Sequence, residues 1–361
     1  MRRGLIVATG TCLGVLLAGA VAATGTVEER LSALEATVAE HETRLDALDG
    51  GNEPPCPGTE VAAGTDLVAA AATAPAGTTF CLGAGTFTLT ASVVAQQGDV
   101  FLGAGRTDTF VVGNGTVQHL FTSSGGADFE VRSLDISGAV GDAACQPNCG
   151  RAFRATGVVT LVDIRCHDND NQCAGGGGGG VRMFDSGCDR NGFGPAFTQD
   201  SSTRSGACIK KASSGMEILE VRNSFIHHNG WAGVWCDFCS PDSVFVVVGN
   251  TITDNVSKGV SYEVSGGYSA NDSGLVQGNV IQRNGLGDTR TISSGITCNS
   301  CADLTIEDNT FGGNANGRAV GLVNARRGPW GDLQNIVIRN NTLNGDTVPC
   351  TTVGVTCSGN T

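Results

Sequence analysis

The sequence predicts an all-β chain that winds into a right-handed parallel β-helix, a solenoid in which each coil stacks on the previous one. A six-residue sequence motif, called the phrase below, recurs along the chain at regular spacing. The residues between its copies show few helical patterns, and both observations support this prediction. The apolar third position recurs after 26, 29, 30 and 32 residues, and such a period is typical of repeat architectures. The five copies of the phrase occupy residues 224–229, 250–255, 279–284, 309–314 and 341–346.

Each copy has an apolar third residue, and four of the five begin with asparagine. In coils stacked about 4.8 Å apart, the apolar residues would form an inward column, and the asparagine amides would hydrogen-bond along the stack. Asparagine also tolerates the left-handed backbone of tight turns. The alternative is a β-sandwich with asparagine-rich turns, but a sandwich does not explain the regular spacing at which the phrase recurs. The apolar column comprises Ile226, Ile252, Ile281, Phe311 and Leu343, and the polar column comprises Ser224, Asn250, Asn279, Asn309 and Asn341.

Composition and charge narrow the function classes. The 361 residues include 54 glycines, and only 5% of the residues are aromatic, which suits a turn-dense solenoid. The net charge of −13 argues against a nucleic-acid partner, because phosphate neutralisation needs an excess of lysine and arginine. It also disfavours a polyanionic partner, unless a local basic patch or a bridging cation compensates.

The first 59 residues predict an export signal, a short helix and a linker. Residues 1–22 have the charged start, apolar run and small-residue cleavage site of a secretory signal; left uncleaved, the run would be long enough to anchor the chain in a membrane. Residues 27–48 carry a heptad pattern, which predicts either a homo-oligomeric coiled coil or a lone stalk helix. Residues 49–59 read as a linker, and residues 60–361 as the β-helix domain, so a secreted protein is expected.

Fourteen cysteines besides Cys12 make disulfides the expectation for an exported chain. Their spacing suggests local bridges at Cys145/Cys149, Cys236/Cys239, Cys298/Cys301 and Cys350/Cys357, and a bridge from Cys56 to Cys81 near the N-terminal cap. Cys166 and Cys188 share a repeat position, so we expect them to stack between neighbouring coils. A zinc site formed by the two Cys-x-x-Cys pairs is the alternative.

The start of the domain predicts a capping helix followed by the first strands. Residues 66–74 are alanine-rich, and a small apolar helix would cover the open end of the solenoid. Thr79–Leu82 and Gly85–Leu89 then read as strands, whereas the glycine run at 174–180 reads as a surface loop. The order of helix, Ala-Pro-Ala-Gly (74–77), strand and Gly-Ala-Gly-Thr-Phe (83–87), followed by Gly-Asp-Val-Phe-Leu-Gly-Ala-Gly (98–105), resembles the opening of pectate-lyase-like β-helix proteins.

This resemblance covers about residues 60–348 and implies the fold. The superfamily contains lyases, hydrolases, epimerases and adhesive or structural members, so the resemblance does not select one activity. It does imply that an active groove would run along an outward sheet face.

A second strand recurs between the asparagine turns and supplies the candidate site. Because side chains alternate across a strand, its second and fourth positions should face inward, as with Val234 and Cys236. Its fifth position should then form an outward column of Lys210, Asp237, Glu263 and Asn299. Trp235 would stand in the adjoining outward column with Cys208, Ser261 and Thr297.

These residue types are suited to catalysis on a sugar. Carboxylates one coil apart lie about 5 Å from each other, a spacing close to that of the catalytic pair in retaining glycosidases. We therefore expect Asp237 and Glu263 to be catalytic, or to bind Ca²⁺, which prefers oxygen ligands. Lys210 would be a base or a binder of sugar carboxylates.

The remaining residues would hold the substrate. An exposed Trp235 would be a stacking platform, Asn299 would bind substrate, and Arg326 and Arg327 would reach in as anion binders. The alternative is a surface ion-pair ladder that contributes little. His227 and His228 read as a solvated turn pair, with a metal site as the less favoured interpretation.

The sequence thus predicts a secreted β-helix protein that acts on or binds extracellular polysaccharide, as a lyase, hydrolase or epimerase. A non-catalytic cell-surface or adhesive protein is the alternative.

Overall fold

The computed structural model describes residues 56–361 except 146, 155, 177, 198–205, 215–217, 241–242, 268–272, 289–291 and 328–331. The predicted signal peptide, the coiled-coil segment with its homo-oligomer, and linker residues 49–55 lie outside the described residues and stay predictions. Pro57–Thr361 forms one compact unit. Within the described ranges, we find no helix with the length and apolarity needed to cross a membrane.

The described strands form three parallel sheets and are numbered along the chain. Sheet 1 contains β1 (Thr59–Val61), β2 (Thr79–Leu82), β5 (Asp99–Gly103), β8 (Phe129–Arg132), β11 (Val159–Val162), β14 (Val181–Phe184), β17 (Ile218–Arg222), β20 (Val244–Val248), β23 (Ser273–Gln277), β26 (Ala302–Glu307), β29 (Gln334–Arg339) and β30 (Val355–Ser358). Sheet 2 contains β4 (Val93–Ala95), β7 (His119–Ser123), β10 (Arg151–Arg154), β13 (Gln172–Gly176), β16 (Ala207–Ser214), β19 (Ala232–Ser240), β22 (Lys258–Glu263), β25 (Ser294–Asn299) and β28 (Val320–Val323). Sheet 3 contains β3 (Gly85–Leu89), β6 (Thr109–Gly113), β9 (Asp135–Ser137), β12 (Arg165–His167), β15 (Gly187–Asp189), β18 (Phe225–His227), β21 (Thr251–Thr253), β24 (Val280–Gln282) and β27 (Thr310–Gly312).

Each coil passes through sheet 1, sheet 3 and sheet 2 in that order, and the next coil adds its strands beside them. Parallel strands joined by such crossovers are almost always right-handed. The predicted all-β, right-handed parallel β-helix is confirmed.

The apolar column of the repeated phrase is confirmed. Ile226, Ile252, Ile281 and Phe311 are register partners on successive strands of sheet 3, and all four are fully buried. Leu343 packs against the same core and is partly buried.

The asparagine ladder is also confirmed. The backbone N–H and side-chain amide of Asn250 donate to Asn279 Oδ1 at 2.8 and 3.0 Å, and Asn279 donates in the same way to Asn309. Ser224 joins the ladder through its backbone N–H. A second ladder, which we did not predict, uses the sixth position of the phrase. Its members are Asn169, Asn191, Asn229, Asn255, Asn284, Asn314 and Asp346.

The left-handed turn residue lies one position before the ladder asparagine, so the second of our two reasons for asparagine, its tolerance of that backbone, was wrong. Gly249 and Gly278, which precede Asn250 and Asn279, have φ values of 69° and 63°. Asp308 occupies the same position one coil later with φ 57°. Asparagine is needed at the ladder position because its amide both donates and accepts along the stack.

Helix α1 (Leu67–Thr73) covers the N-terminal end, as predicted. Asp66 caps it by accepting a hydrogen bond from the backbone N–H of Ala69 at 3.1 Å, an arrangement that satisfies one of the free donors of the first turn. Leu67 and Ala71 are buried in the core of the solenoid. The helix therefore protects apolar core that the first coil would otherwise expose.

The disulfides largely follow the predicted spacing. The four predicted local bridges are formed, and Cys56 and Cys81 are also disulfide-bonded, which removes the zinc alternative for the Cys-x-x-Cys pairs. Cys166 and Cys188 are register neighbours. Their bonds, however, cross the core to residues that we had not paired, as Cys166–Cys173 and Cys188–Cys208.

The glycine run is packed, so the surface-loop interpretation was wrong. Gly175 and Gly176 belong to β13. A Cβ at Gly175 would lie 1.8 Å from Gln172 Oε1, and one at Gly179 would lie 2.0 Å from the carbonyl oxygen of Gly157. Close approach of neighbouring chain segments, and not mobility, accounts for glycine at these positions.

Replacing a ladder asparagine should destabilise the solenoid strongly. In Asn279→Ala, the carbonyl of Val247 and the N–H of Asn250 lose buried partners, which should cost about 3 kcal/mol because buried unpaired groups lose their hydration. The exposed Asn324 bonds only Asp332 in the described structure, so Asn324→Ala should change stability by less than about 0.5 kcal/mol. Chemical denaturation measures both; equal effects would contradict the ladder's role.

Candidate functional site

The outward column predicted on sheet 2 is present. Asp237, Glu263 and Asn299 are register partners on β19, β22 and β25, so they lie on consecutive coils. The intervening positions face the core and are almost completely buried, as predicted. These inward residues are Val234, Cys236, Val260, Tyr262, Ile296 and Cys298.

Lys210 belongs to the adjoining column, so our alignment of its strand was wrong. The predicted column aligned Lys210 with Asp237, but β16 pairs Ile209 with Val234 and Lys210 with Trp235. The shift is two residues, and the side-chain period of a strand is also two. Lys210 therefore still faces outward, one column away from the predicted position.

Ion pairs and one amide link the column residues. Lys210 Nζ lies 3.4 Å from Asp237 Oδ2, and Asn299 Nδ2 donates to Glu263 Oε1 at 3.1 Å. The Arg327 guanidinium also pairs with Glu263. The side chains of Lys210 and Asp237 are only 16% and 20% exposed, so this pair is not solvated. The pair of Glu263 and Arg327 is more open, because the Arg327 side chain is 43% exposed.

Arg326 turns away from this group. It adopts φ 52°, and its Nε donates to Asp332 at 2.9 Å while its side chain stays largely exposed. Of the two predicted anion binders, only Arg327 reaches the column residues.

Trp235 is buried, so the predicted exposed platform is absent. The residue is 7% exposed and packs with Ala207, Trp231 and Ala232 in a cluster outside the core. Lys210 Nζ lies 3.5 Å from its ring centroid, a distance suited to a cation–π interaction. The alternation pattern placed Trp235 on the outward side correctly, but it carries no information about the segments that cover that side.

Burial is the largest effect on both members of the Lys210–Asp237 pair. It lowers the pKa of the Lys210 ammonium below its ordinary value, against the opposing influence of Asp237. It raises the pKa of the Asp237 carboxyl, with Lys210 opposing the shift and Glu263 adding to it. The two pKa values therefore move toward neutrality, which is the condition that general acid–base catalysis requires.

A second outward row, which sequence reasoning missed, continues the site toward the N-terminus. Arg151 on β10 pairs in register with His119 on β7 and Gln172 on β13, and all three are buried. The only sequence signal was polar residues at the starts of strands. We call the outward side of sheet 2, from β7 to β25, the covered face. Its second row consists of His119, Arg151, Gln172, Ala207, Ala232, Lys258 and Ser294.

Four buried side chains of the covered face have a polar atom that finds no hydrogen-bond partner within the described part of the chain. They are His119 (Nδ1), Arg151 (Nε), Trp235 (Nε1) and Asn299 (Oδ1). Buried polar groups are normally paired, so these atoms are exceptions to the general rule. Arg182 (Nε) and Glu220 (Oε2) on sheet 1 are further exceptions.

The column does not fit a bare calcium ion well. Asn299 Oδ1 is an unpaired oxygen of the right kind, but Lys210 and Arg327 already neutralise Asp237 and Glu263. A divalent cation would have to displace Arg327, so we derive no step through a metal.

The other two candidate metal sites are not supported either. The one cluster of three or more His, Cys, Asp or Glu ligands among the described residues is Asp142, Cys145 and Cys149, and its cysteines form a disulfide. His227 and His228 contact each other through Nδ1 at 2.8 Å on sheet 3, away from the covered face.

Comparison with known proteins defines the fold. No family model and no curated protein matches the chain. A Yersinia enterocolitica family 28 exopolygalacturonase superposes with a TM-score of 0.55 at 10% identity, over 84% of this chain and 75% of that one. This superposition shows that the chain has a parallel β-helix fold. The Azotobacter vinelandii mannuronan C-5 epimerase AlgE6 A-module superposes at 0.47, with 15% identity over 81% of this chain and 92% of that one. The Dettilon tailspike protein superposes at 0.46, with 16% identity over 79% and 60%.

Lys211 follows Lys210 in the sequence, but the two side chains lie on opposite sides of sheet 2. It pairs in register with Cys236 of the inward column, is 1% exposed and donates from Nζ to the carbonyl of Gly178. Burial, with a smaller contribution from Arg151, lowers its pKa to about 8. Lys211 is therefore part of the interior and not of the covered face.

Lys211→Met should stabilise the protein at pH 7. The folded chain holds the Lys211 proton less tightly than the unfolded chain, so wild-type stability should rise between pH 8 and 10.5 as this group discharges. A shift from 10.5 to about 8 corresponds to about 3 kcal/mol, so the variant should gain up to about that amount at pH 7 and little above pH 10.5. Urea denaturation of both proteins across this range tests it, and a pH-independent difference would contradict it.

Proposed function

We propose that this protein binds extracellular polysaccharide along the covered face and acts on it by acid–base chemistry at Asp237 and Glu263. The observation that carries the proposal is the alignment of Asp237, Glu263 and Asn299 on consecutive coils, beside buried polar atoms that lack partners. A glycan offers hydroxyl groups at regular intervals, which matches a face whose hydrogen-bonding groups repeat with each coil.

The roles follow from the local environments. Burial raises the pKa of the Asp237 carboxyl, which favours a role as proton donor, and Lys210, which contacts it, opposes this shift. Glu263 is held in place by Asn299 and Arg327. As register partners on neighbouring strands, Asp237 and Glu263 are about 5 Å apart at their backbones, so both can reach one sugar linkage.

Two further observations support the polysaccharide and the extracellular setting. The exopolygalacturonase with which the fold superposes is, by its name, an enzyme of a polysaccharide, and we extend that substrate class to this chain. The many disulfides are typical of oxidising compartments outside the cytosol, so we propose secretion, with anchoring if the N-terminal segment is retained.

A non-catalytic, adhesive glycan binder is the second candidate. The observation that favours it is that both carboxylates already have cationic partners, Asp237 with Lys210 and Glu263 with Arg327. Such pairs can hold a rigid binding surface without any chemistry.

Asp237→Asn should abolish turnover and leave binding in place. Loss of a general acid typically costs 100-fold or more in rate, roughly 10²–10⁴-fold, and an amide preserves the shape of the side chain. Turnover is measured on a panel of polysaccharides, and binding by calorimetry. Glu263→Gln should lose activity to a similar extent.

Asp254→Asn is the matched control and should leave turnover unchanged, because Asp254 pairs with Arg283 in the turns that follow β21 and β24. The product identifies the reaction: an unsaturated sugar indicates a lyase, a saturated reducing end a hydrolase, and an inverted sugar without cleavage an epimerase. Binding without any product would favour the adhesive candidate. Full activity in both site variants would remove the assignment.

A further inference from the structure

A group of charged side chains on the outward side of sheet 3 has no part in the proposed function. It spans the successive strands β9, β12 and β15 and the turns that follow them, and the register of these strands brings residues of three coils into contact. We call it the charged group. Its members are Asp135, Arg165, His167, Asp168, Asp189 and Arg190.

Both ring nitrogens of His167 face carboxylate oxygens. Nε2 lies 2.8 Å from Asp135 Oδ1, and Nδ1 lies 2.5 Å from Asp168 Oδ2. An ionised carboxylate only accepts hydrogen bonds, and a neutral imidazole has a single N–H. Both contacts can therefore be hydrogen bonds only when His167 carries two ring protons and is an imidazolium cation.

The charges of the group balance only with that proton in place. Arg165 Nε and Nη2 each donate to Asp189 at 3.2 Å. Arg190 donates to Asp168 at 2.7 Å and also to Asp189. Three carboxylates thus face two guanidiniums, and the His167 imidazolium supplies the third positive charge.

Asp135 depends most on the His167 proton. Its side chain is only 7% exposed, and the Arg165 guanidinium, which donates to Asp189, lies 3.9 Å away from it. A neutral His167 would turn a ring lone pair toward one of its two carboxylates, whichever tautomer formed. Because a buried charge that loses its partner destabilises a protein, this part of the fold favours the charged ring.

The same neighbours hold the proton on the ring. Burial lowers the pKa of His167, but the hydrogen bonds to Asp135 and Asp168 outweigh burial, so the pKa lies above its ordinary value. The pKa of the Asp168 carboxyl lies below its ordinary value, chiefly because Arg190 donates to it. Asp168 is therefore charged throughout the range in which His167 titrates.

The next coil does not compete for this charge. His227 is the register partner of Asp189. Burial is the largest effect on its pKa and lowers it, with Asp189 opposing and His228, Arg190 and Arg165 adding to the decrease. His227 is therefore largely neutral at a pH at which His167 is charged.

We propose that His167 is a pH-sensitive ionic lock that joins three successive coils of sheet 3. At neutral and mildly acidic pH the lock is closed: the imidazolium joins Asp135 of the preceding coil to Asp168, and Arg190 extends the contact to the following coil. In alkaline medium the neutral ring repels one carboxylate and the lock opens. The inference is independent of the proposed function, because it involves no ligand and no residue of the covered face.

The lock gives the pH dependence of stability a definite direction. A histidine whose pKa is higher in the folded than in the unfolded chain stabilises fully below its unfolded value, about 6.5. That stabilisation is lost as the pH rises through the folded value. Lys211 acts in the opposite direction, but its contribution is common to wild type and His167 variants and cancels in their comparison.

An NMR titration of the His167 ring in the full chain tests the lock directly. The midpoint should lie above about 6.5. In Asp168→Asn, which removes the more exposed of the two carboxylates and keeps its shape, the midpoint should fall. A wild-type midpoint at or below about 6.5, or a midpoint that Asp168→Asn leaves unchanged, would overturn the lock.

His167→Gln tests the consequence for the fold. Glutamine keeps a side-chain donor but carries no charge. Wild type should therefore have the higher urea midpoint at pH 6, and its advantage should shrink steadily up to pH 9.5. His228→Gln is the matched control and should follow the wild-type pH dependence, because the His228 ring contacts His227 and lies outside the charged group.

Hydrogen exchange shows where the lock acts. The amide of Gly138 donates to the carbonyl of Asp168 at 3.2 Å, and the amide of Gly187 donates to the carbonyl of Ile164 at 2.8 Å. Between pH 6 and 9 the protection of both amides, corrected for their intrinsic exchange rates, should fall in wild type and stay constant in His167→Gln.

The variants should fold, because the disulfides Cys166–Cys173 and Cys188–Cys208 hold the same coils. If His167→Gln does not, the titration of wild type and Asp168→Asn decides the question without it. A stability difference between wild type and His167→Gln that does not change with pH, with unchanged protection of the two amides, would contradict the lock.

Discussion

The hydrogen bond from one asparagine amide to the next is the constraint on which the rest of the structure depends. Each ladder asparagine donates to the coil above it and to a backbone carbonyl, as Asn279 does with Asn309 and Val247, so a coil cannot slip without leaving buried groups unpaired. Because the side-chain period of a strand is two, a slip of one residue would turn every side chain of a strand to the opposite face. Two ladders thus fix the register of the sheets.

Because the register of the strands is fixed, residues that are far apart in the sequence lie next to each other on one surface. Asp237, Glu263 and Asn299 are 26 and 36 residues apart in the chain, yet they form one column because their strands are partners. The same register places Arg151 beside His119 and Gln172.

The fold was predictable from local signals, whereas the environment of the site was not. The phrase spacing, the alanine-rich helix α1 and the strands at Thr79–Leu82 and Gly85–Leu89 are properties of nearby residues, and the structure reproduces them. The alignment of Lys210 failed because a shift of two residues preserves the alternation of side chains, so the pattern alone does not fix the register.

The missed features have a common cause. Trp235 and Arg151 were not recognised as buried because burial of an outward side chain depends on segments that cross from elsewhere in the chain, such as the one that brings Arg327 to Glu263. The alternation of side chains along a strand gives the direction in which each side chain points, but it does not tell which segments bury that side chain. The second ladder could have been found, since the sixth position of the phrase is asparagine in four of its five copies.

The most direct measurement is a crystal structure of the full chain with a bound oligosaccharide. The account predicts sugar density along sheet 2, with a sugar linkage between Asp237 and Glu263. Density confined to sheet 1 or sheet 3, with the covered face unchanged, would contradict it.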